Sequence, residues 1–251
     1  MDKVVAALAA QQDELTGIVA SLDEAGWQHP SRCDGWSVAD VVLHLAQTNE
    51  MALASLQGRF AEAVEALTAG VGPAASVDDG AALMVARERG EPGPAVQARW
   101  QQGADALRHE LSEADPGRRV TWVAGELSVP TLATTRLAET WIHTGDVALP
   151  LGFDVAVDDR LWHIARLAWR TLPYAFATAG YEPAGPVAFE LDAPGGETWH
   201  FAGDADAPTR IAGPALDLCT VAGQRARAAD TGLRGEGPDA AAVLDLVRTF
   251  A

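Results

Sequence analysis

The stretch Arg136-Leu137-Ala138-Glu139-Thr140-Trp141-Ile142-His143-Thr144-Gly145-Asp146 gathers four ionisable side chains at helical spacing. At about 100° per residue, Arg136, Glu139, His143 and Asp146 fall in one narrow sector, shared with Leu132 and Val147. A carboxylate and an imidazole four residues apart stand one helical turn from each other, roughly 5–6 Å between Cβ atoms, and can bind a common ion. That spacing supplies two ligands of a divalent-metal site. The third must come from another helix, and His44, at the margin of an apolar stripe, is the best-placed candidate. Two imidazoles and one carboxylate leave coordination positions open, the condition for a catalytic zinc or another divalent ion. Glu and His at this spacing are also common as an ion pair on a solvated helix, and a His at the edge of an apolar face is commonly a hydrogen-bonded core residue. Spacing alone leaves both readings open.

Other polar residues read more plainly. Cys33 stands near the start of a helix whose dipole would favour a thiolate, but it is not expected to serve as a catalytic nucleophile. His163 sits among Trp and Leu and reads as structural, while His29, His109 and His200 have no partner at a useful spacing. Trp122, with Gly125, could line a pocket mouth, and packing is the favoured reading. Gly195-Gly196 reads as a hairpin turn, since it lacks the Gly-x-Gly spacing and following helix of a phosphate loop.

These residues need elements to position them. Val4, Val5, Leu8, Leu15, Ile18, Val19 and Leu22 recur at three- and four-residue steps and predict a helix over 2–23. Pro and Gly break the period between Gly26 and Trp36, so two tryptophans fall in a loop. Ser37 with Asp40 forms a capping-box variant ahead of a helix predicted over 38–58. Residues 70–95 read as loop around one short helix near Ala81 to Arg87. Further helices are predicted over 94–113, 131–149 and 158–178, with extended chain from Val120 to Val129. Four principal helices plus one make a bundle.

Near Gly180 the pattern changes. Val187, Phe189 and Leu191 alternate, Pro194-Gly195-Gly196 turns the chain, and Thr198 to Phe201 resumes, which together predict a β-hairpin. A strand at Thr209 to Ile211, a helix from Pro214 to Arg227, a short strand from Gly232 to Gly235 and a closing helix from Asp239 to Phe250 follow. The expected class is α+β, with a helical domain over 1–180 and a small α+β domain over 181–251.

Composition excludes several functions. The 251 residues carry 18 basic and 35 acidic side chains, a net charge of −17, so nucleic acid and anionic membrane surfaces are not expected partners. Hydrophobic residues at 48% and charged ones at 21% place the chain among globular proteins able to bury a core. No apolar run suits a membrane span, and Met1-Asp2-Lys3 does not open a signal peptide, so a cytoplasmic protein is expected. Two distant cysteines, Cys33 and Cys219, predict no disulfide framework. Oligomeric state defaults to a monomer or weak homodimer.

Two separated motifs carry a family resemblance. The run Trp27-Gln28-His29-Pro30-Ser31-Arg32-Cys33-Asp34-Gly35-Trp36-Ser37, continuing to His44-Leu45, resembles the amino-terminal signature of the mycothiol-dependent maleylpyruvate isomerase family, a branch of the DinB-like four-helix metalloproteins. Arg136, Glu139, His143 and Asp146 resemble that family's later helix, and Gly213 to Leu218 with Gly235 to Ala240 resemble its carboxy-terminal module. The resemblance implies a DinB-like four-helix bundle with a small α+β tail, and it makes His44, Glu139 and His143 ligands of a divalent metal, zinc being the expected ion. It implies a small-molecule substrate, with mycothiol as a co-substrate, and isomerase or S-transferase chemistry. Asp146 would orient an imidazole, Arg136 would balance carboxylate charge, and Arg225 would contact substrate. The subgroup most resembled is described only as metal-binding, and Gly223-Gln224-Arg225 departs from the family's Gly-Arg. Thiol-independent cyclase, lyase or hydrolase chemistry, and a non-catalytic metal- or ligand-binding role, stay open beside the thiol-dependent reading.

Overall fold

The computed structural model describes every residue except 71, 73, 124, 203–205, 250 and 251. The chain divides into two compact units, Met1–Val155 and Ala156–Ala251. The sequence reading set its domain boundary at 180, because the helix over 158–178 is apolar on one face and periodicity does not say which core that face joins. In the structure this helix belongs to the second unit.

In the first unit, α1 (Asp2–Val19) buries Leu8, Leu15 and Val19 along one stripe. A one-turn helix, α2 (Glu24–Trp27), capped by the Asp23 carboxylate, leads into the tryptophan loop. Ser37 and Asp40 close a full capping box at the start of α3 (Val38–Leu56), each side chain accepting the other's backbone N–H. Nearly every residue of α3 is buried, so it is the most enclosed helix of its unit. It ends at Leu56, the chain turns at Gly58, whose φ of 72° suits a glycine, and α4 (Phe60–Thr68) follows as a separate helix where the sequence reading foresees none. The short helix expected near Ala81 is α5 (Val77–Glu88).

α6 (Gly93–Glu113), begun by Pro94, buries Val96, Trp100, Ala104, Leu107 and Leu111. A hairpin of β1 (Arg119–Trp122) and β2 (Gly125–Ser128) joins it to α7 (Val129–Ala148), which the Ser128 side chain caps. The Trp122 ring packs at 5.6 Å from Phe60, in keeping with a packing role. α3 packs against α6 and α7, and α1 against the same two, closing a four-helix bundle. Gly93 lies directly beneath the buried Trp27 ring, and a Cβ there would fall inside it. Gly93→Ala is therefore expected to cost about 1–3 kcal/mol through overpacking. Chemical denaturation checks this, and an unchanged midpoint with an unchanged slope would contradict it.

The second unit opens with α8 (Arg160–Ala179), which ends on Gly180 in the left-handed conformation. Its sheet has the order β4-β3-β5-β6. β3 (Val187–Asp192) pairs antiparallel with β4 (Thr198–Phe201), as the alternation predicts, and parallel with β5 (Thr209–Pro214). α9 (Ala215–Ala222) follows, β6 (Arg234–Glu236) pairs antiparallel with β5, and α10 (Ala240–Leu246) comes last. Both closing helices are shorter than expected, and Phe250, the foreseen end of the last, lies outside the described residues. The core of this unit holds Leu161, Ile164, Phe189, Leu191, Ile211, Leu218 and Val243. The Trp169 indole donates to the Val187 carbonyl at 2.8 Å and ties α8 to the sheet. The architecture is α+β, with a helical amino-terminal bundle. No helix among the described residues is long and apolar enough to cross a membrane.

Candidate metal centre

Ser128 sets where α7 begins, and the helical phase that follows turns one face into the bundle. Arg136, Glu139, His143 and Asp146 are all buried there, so they do not form a solvated ion pair. His44 arrives from α3, also buried. Its Nε2 lies 3.2 Å from Glu139 Oε2, and His143 Nε2 lies 3.7 Å from the same oxygen. The two imidazoles meet edge to face, 5.0 Å between centroids. The structure thus brings together the three residues that the sequence reading nominated, on atoms within 4.8 Å of one another.

Those spacings can be tested against an ion. Zinc bonds to His nitrogen and carboxylate oxygen are about 2.0–2.2 Å, which places tetrahedral ligand atoms roughly 3.4 Å apart. The observed 3.2 and 3.7 Å bracket that value. The donor set fits a divalent cation in both type and spacing, and a His/His/carboxylate set does not select zinc over its first-row neighbours.

Charge is arranged around the carboxylate. Burial would push the Glu139 pKa up, but the His44 hydrogen bond and the charges of His143 and Arg136 hold it down at about 2. Burial dominates at His44 and lowers its pKa, which leaves a neutral ring free to offer a lone pair. At His143 burial also acts downward, but the hydrogen bond to Asp146, the Cys33 thiol and the Glu139 charge together raise it to about 9. Asp146 Oδ2 lies 3.0 Å from His143 Nδ1 and so accepts from that edge of the ring, leaving Nε2 aimed at Glu139. Arg136 Nη1 stands 4.0 Å from Glu139 Oε2. Its Nη2 donates to Thr48 Oγ1 at 2.8 Å, and that hydroxyl in turn donates to the His44 carbonyl at 2.9 Å.

One residue at this centre was missed. Cys33 Sγ lies 3.3 Å from Asp146 Oδ2 and 3.7 Å from His143 Nδ1. Loop residues have no period to read, so only the proximity of Cys33 to His44 in sequence hinted at it. Arg225 belongs to the second unit, just beyond α9, where its guanidinium donates to the Gly223 carbonyl at 3.1 Å. The preceding Gln224 has a φ of 59°, a left-handed conformation uncommon outside glycine. Of the histidines set aside, His29 meets the Pro30 carbonyl and His200 lies beside Glu190.

The family described as mycothiol maleylpyruvate isomerase N-terminal domain matches residues 8–148, a span that contains His44, Glu139 and His143. The chain belongs to this family. Two relatives, uncharacterized proteins from two strains of Mycobacterium tuberculosis, are each 35% identical over 250 residues, covering 98% of this chain and 95% of theirs. Among solved structures, the mycothiol-dependent maleylpyruvate isomerase and a mutant of it align with a TM-score of 0.60 over 94% of this chain and 95% of theirs. At 17% identity that likeness is one of fold.

Proposed function

We propose that the protein is a divalent-metal-dependent enzyme of small-molecule metabolism that uses a thiol co-substrate, mycothiol, in an isomerase or S-transferase reaction. The observation that carries this reading is the convergence of His44, Glu139 and His143 at metal-ligand spacing inside the matched domain. In this reading the three side chains hold the ion, zinc being the expected one. When bound, such an ion supplies Lewis acidity that favours a thiolate or polarises a carbonyl. A thiol that adds to a substrate double bond and is later expelled leaves an isomerised product, whereas a thiol that displaces a leaving group gives S-transfer.

The chain's own residues do the positioning. Asp146 fixes the His143 ring and keeps its Nδ1 proton turned away from Glu139. The His44 hydrogen bond and the His143 charge keep Glu139 ionised against the cost of burial, and Arg136 adds to the balance of its charge. Arg225 is assigned a substrate contact, and the protein is assigned to the cytoplasm as a monomer or weak homodimer. A net charge of −17 disfavours nucleic acid, and a small-molecule substrate follows from the family.

The test is metal content by elemental mass spectrometry on untagged protein, with His44→Ala and His143→Ala beside wild type, followed by mycothiol titration calorimetry. About one equivalent of metal in wild type, lost in both variants, with thiol binding that requires metal, is the expected result. Metal without thiol affinity would replace the thiol-dependent reading with thiol-independent lyase or hydrolase chemistry. Full metal occupancy in both variants would overturn the ligand assignment.

A further inference from the structure

Cys33 reaches the centre from a loop whose backbone is fixed at several points. The Arg32 N–H donates to the Asp146 carbonyl at 3.1 Å, joining the loop to the last turn of α7. Cys33 N–H donates to Ser31 Oγ at 3.1 Å, and that hydroxyl donates to the Trp36 carbonyl at 2.8 Å. Val38 N–H donates to the His29 carbonyl at 2.9 Å, closing the loop onto the start of α3. The same loop sets the Trp36 ring 5.4 Å from the His44 ring. The thiol is half-buried, so its direction is set by these anchors together with its contact to Asp146.

We propose that Cys33 is a positioning residue of the metal centre, its S–H donating to the Asp146 oxygen that holds His143 Nδ1. The inference rests on the metal reading for its consequence, but not for the contact itself. A carboxylate oxygen that accepts from both an N–H and an S–H is constrained in direction. Losing the S–H removes one of the contacts that orient this carboxylate, and the imidazole it steers shifts with it. The edge of the ring that Cys33 meets decides between positioning and ligation. Sγ stands beside Nδ1, at 3.7 Å, whereas Glu139, the carboxylate that His44 also meets, is reached from Nε2. Cys33 therefore acts on the centre through Asp146 and His143, from behind the ring.

The experiment has one arm that needs no metal and one that does. In metal-free protein the infrared S–H stretch of Cys33, assigned by its disappearance in Cys33→Ser, should lie at lower frequency than a free thiol and rise in Asp146→Asn. The Cys219 band, from a buried thiol that contacts the Leu161 carbonyl at 3.6 Å, serves as an internal reference and should not move. In cobalt titrations, Cys33→Val, close in size but without a donor, should bind about 10–100-fold more weakly with an altered visible spectrum, and Cys33→Ser should recover most of the affinity. An S–H band indifferent to Asp146→Asn overturns the proposal. So does a Cys33→Val protein with wild-type affinity and spectrum, or a thiolate-to-cobalt charge-transfer band in wild type, which would make Cys33 a ligand. Wild-type protein that takes up no cobalt would end the metal reading, and the infrared arm would still decide the contact.

Discussion

Glu139→Ala is expected to lose its metal and also to lower the stability of the metal-free protein by about 3–5 kcal/mol. The second effect comes from Arg136, a guanidinium only 1% exposed. Among the described residues, Glu139 is the carboxylate within ion-pair reach of it, at 4.0 Å. Thr48 and Asn49 satisfy some of its N–H groups, the Asn49 contact being long at 3.4 Å, but neither carries charge. Removing the carboxylate leaves a buried cation without compensation, which costs far more than the intact pair contributes. A double variant separates the two roles. Glu139→Ala with Arg136→Met removes both charges and should recover much of the lost stability while still binding no metal. Denaturation of metal-stripped proteins measures the first quantity and elemental analysis the second. A Glu139→Ala protein as stable as wild type would mean that Arg136 finds another counter-charge, and the electrostatic account of the centre would fail.

The same residues explain why the helical part of this centre is legible in the sequence and the loop part is not. Helical phase is local information. Once Ser128 and Pro130 mark the start of α7, the inward sector containing Arg136, Glu139, His143 and Asp146 follows by counting. Ser37 and Asp40 do the same for α3, and His44 follows at its helical position. Cys33 lies in a loop closed by backbone hydrogen bonds to residues far along the chain, notably from Arg32 to Asp146, and no period records such a contact. α4 has no counterpart among the predicted helices, because the nine residues from Phe60 to Thr68 are too short a window for a period to stand out. The helix predicted over 158–178 is α8 and lies in the second compact unit, which its period does not reveal, since an amphipathic stripe specifies that a face is buried but not what covers it.

Metal affinity should rise with pH, about tenfold per unit, and level off near pH 9, with about one proton released per ion below that value. The three candidate ligands divide the proton inventory unequally. Glu139, held at about 2, is already ionised at neutral pH and releases nothing. His44, its pKa lowered by burial, is already neutral. His143, raised to about 9 by Asp146, Cys33 and Glu139 against the opposing pull of burial, carries the proton that an ion at Nε2 must displace. Stability of the metal-free protein should follow the opposite course on the alkaline side. His143 is raised above its ordinary 6.5, so its contribution is complete below that pH and is lost as pH climbs through about 9. Glu139 is depressed from 4.5, so its contribution is complete above that pH and fades as pH falls toward about 2. His44, lowered from the same 6.5, acts on the acid side, its contribution fading as pH falls below that value, so the metal-free protein should be most stable near pH 6.5, where zinc binds far more weakly than at pH 9. The rise in Tm on adding zinc should be small near pH 5 and largest near pH 9. Calorimetric titration in two buffers of different ionisation enthalpy counts the released proton directly. A pH-independent affinity, or no proton released at neutral pH, would mean that His143 is neutral in the metal-free protein and that Asp146 steers the ring without charging it.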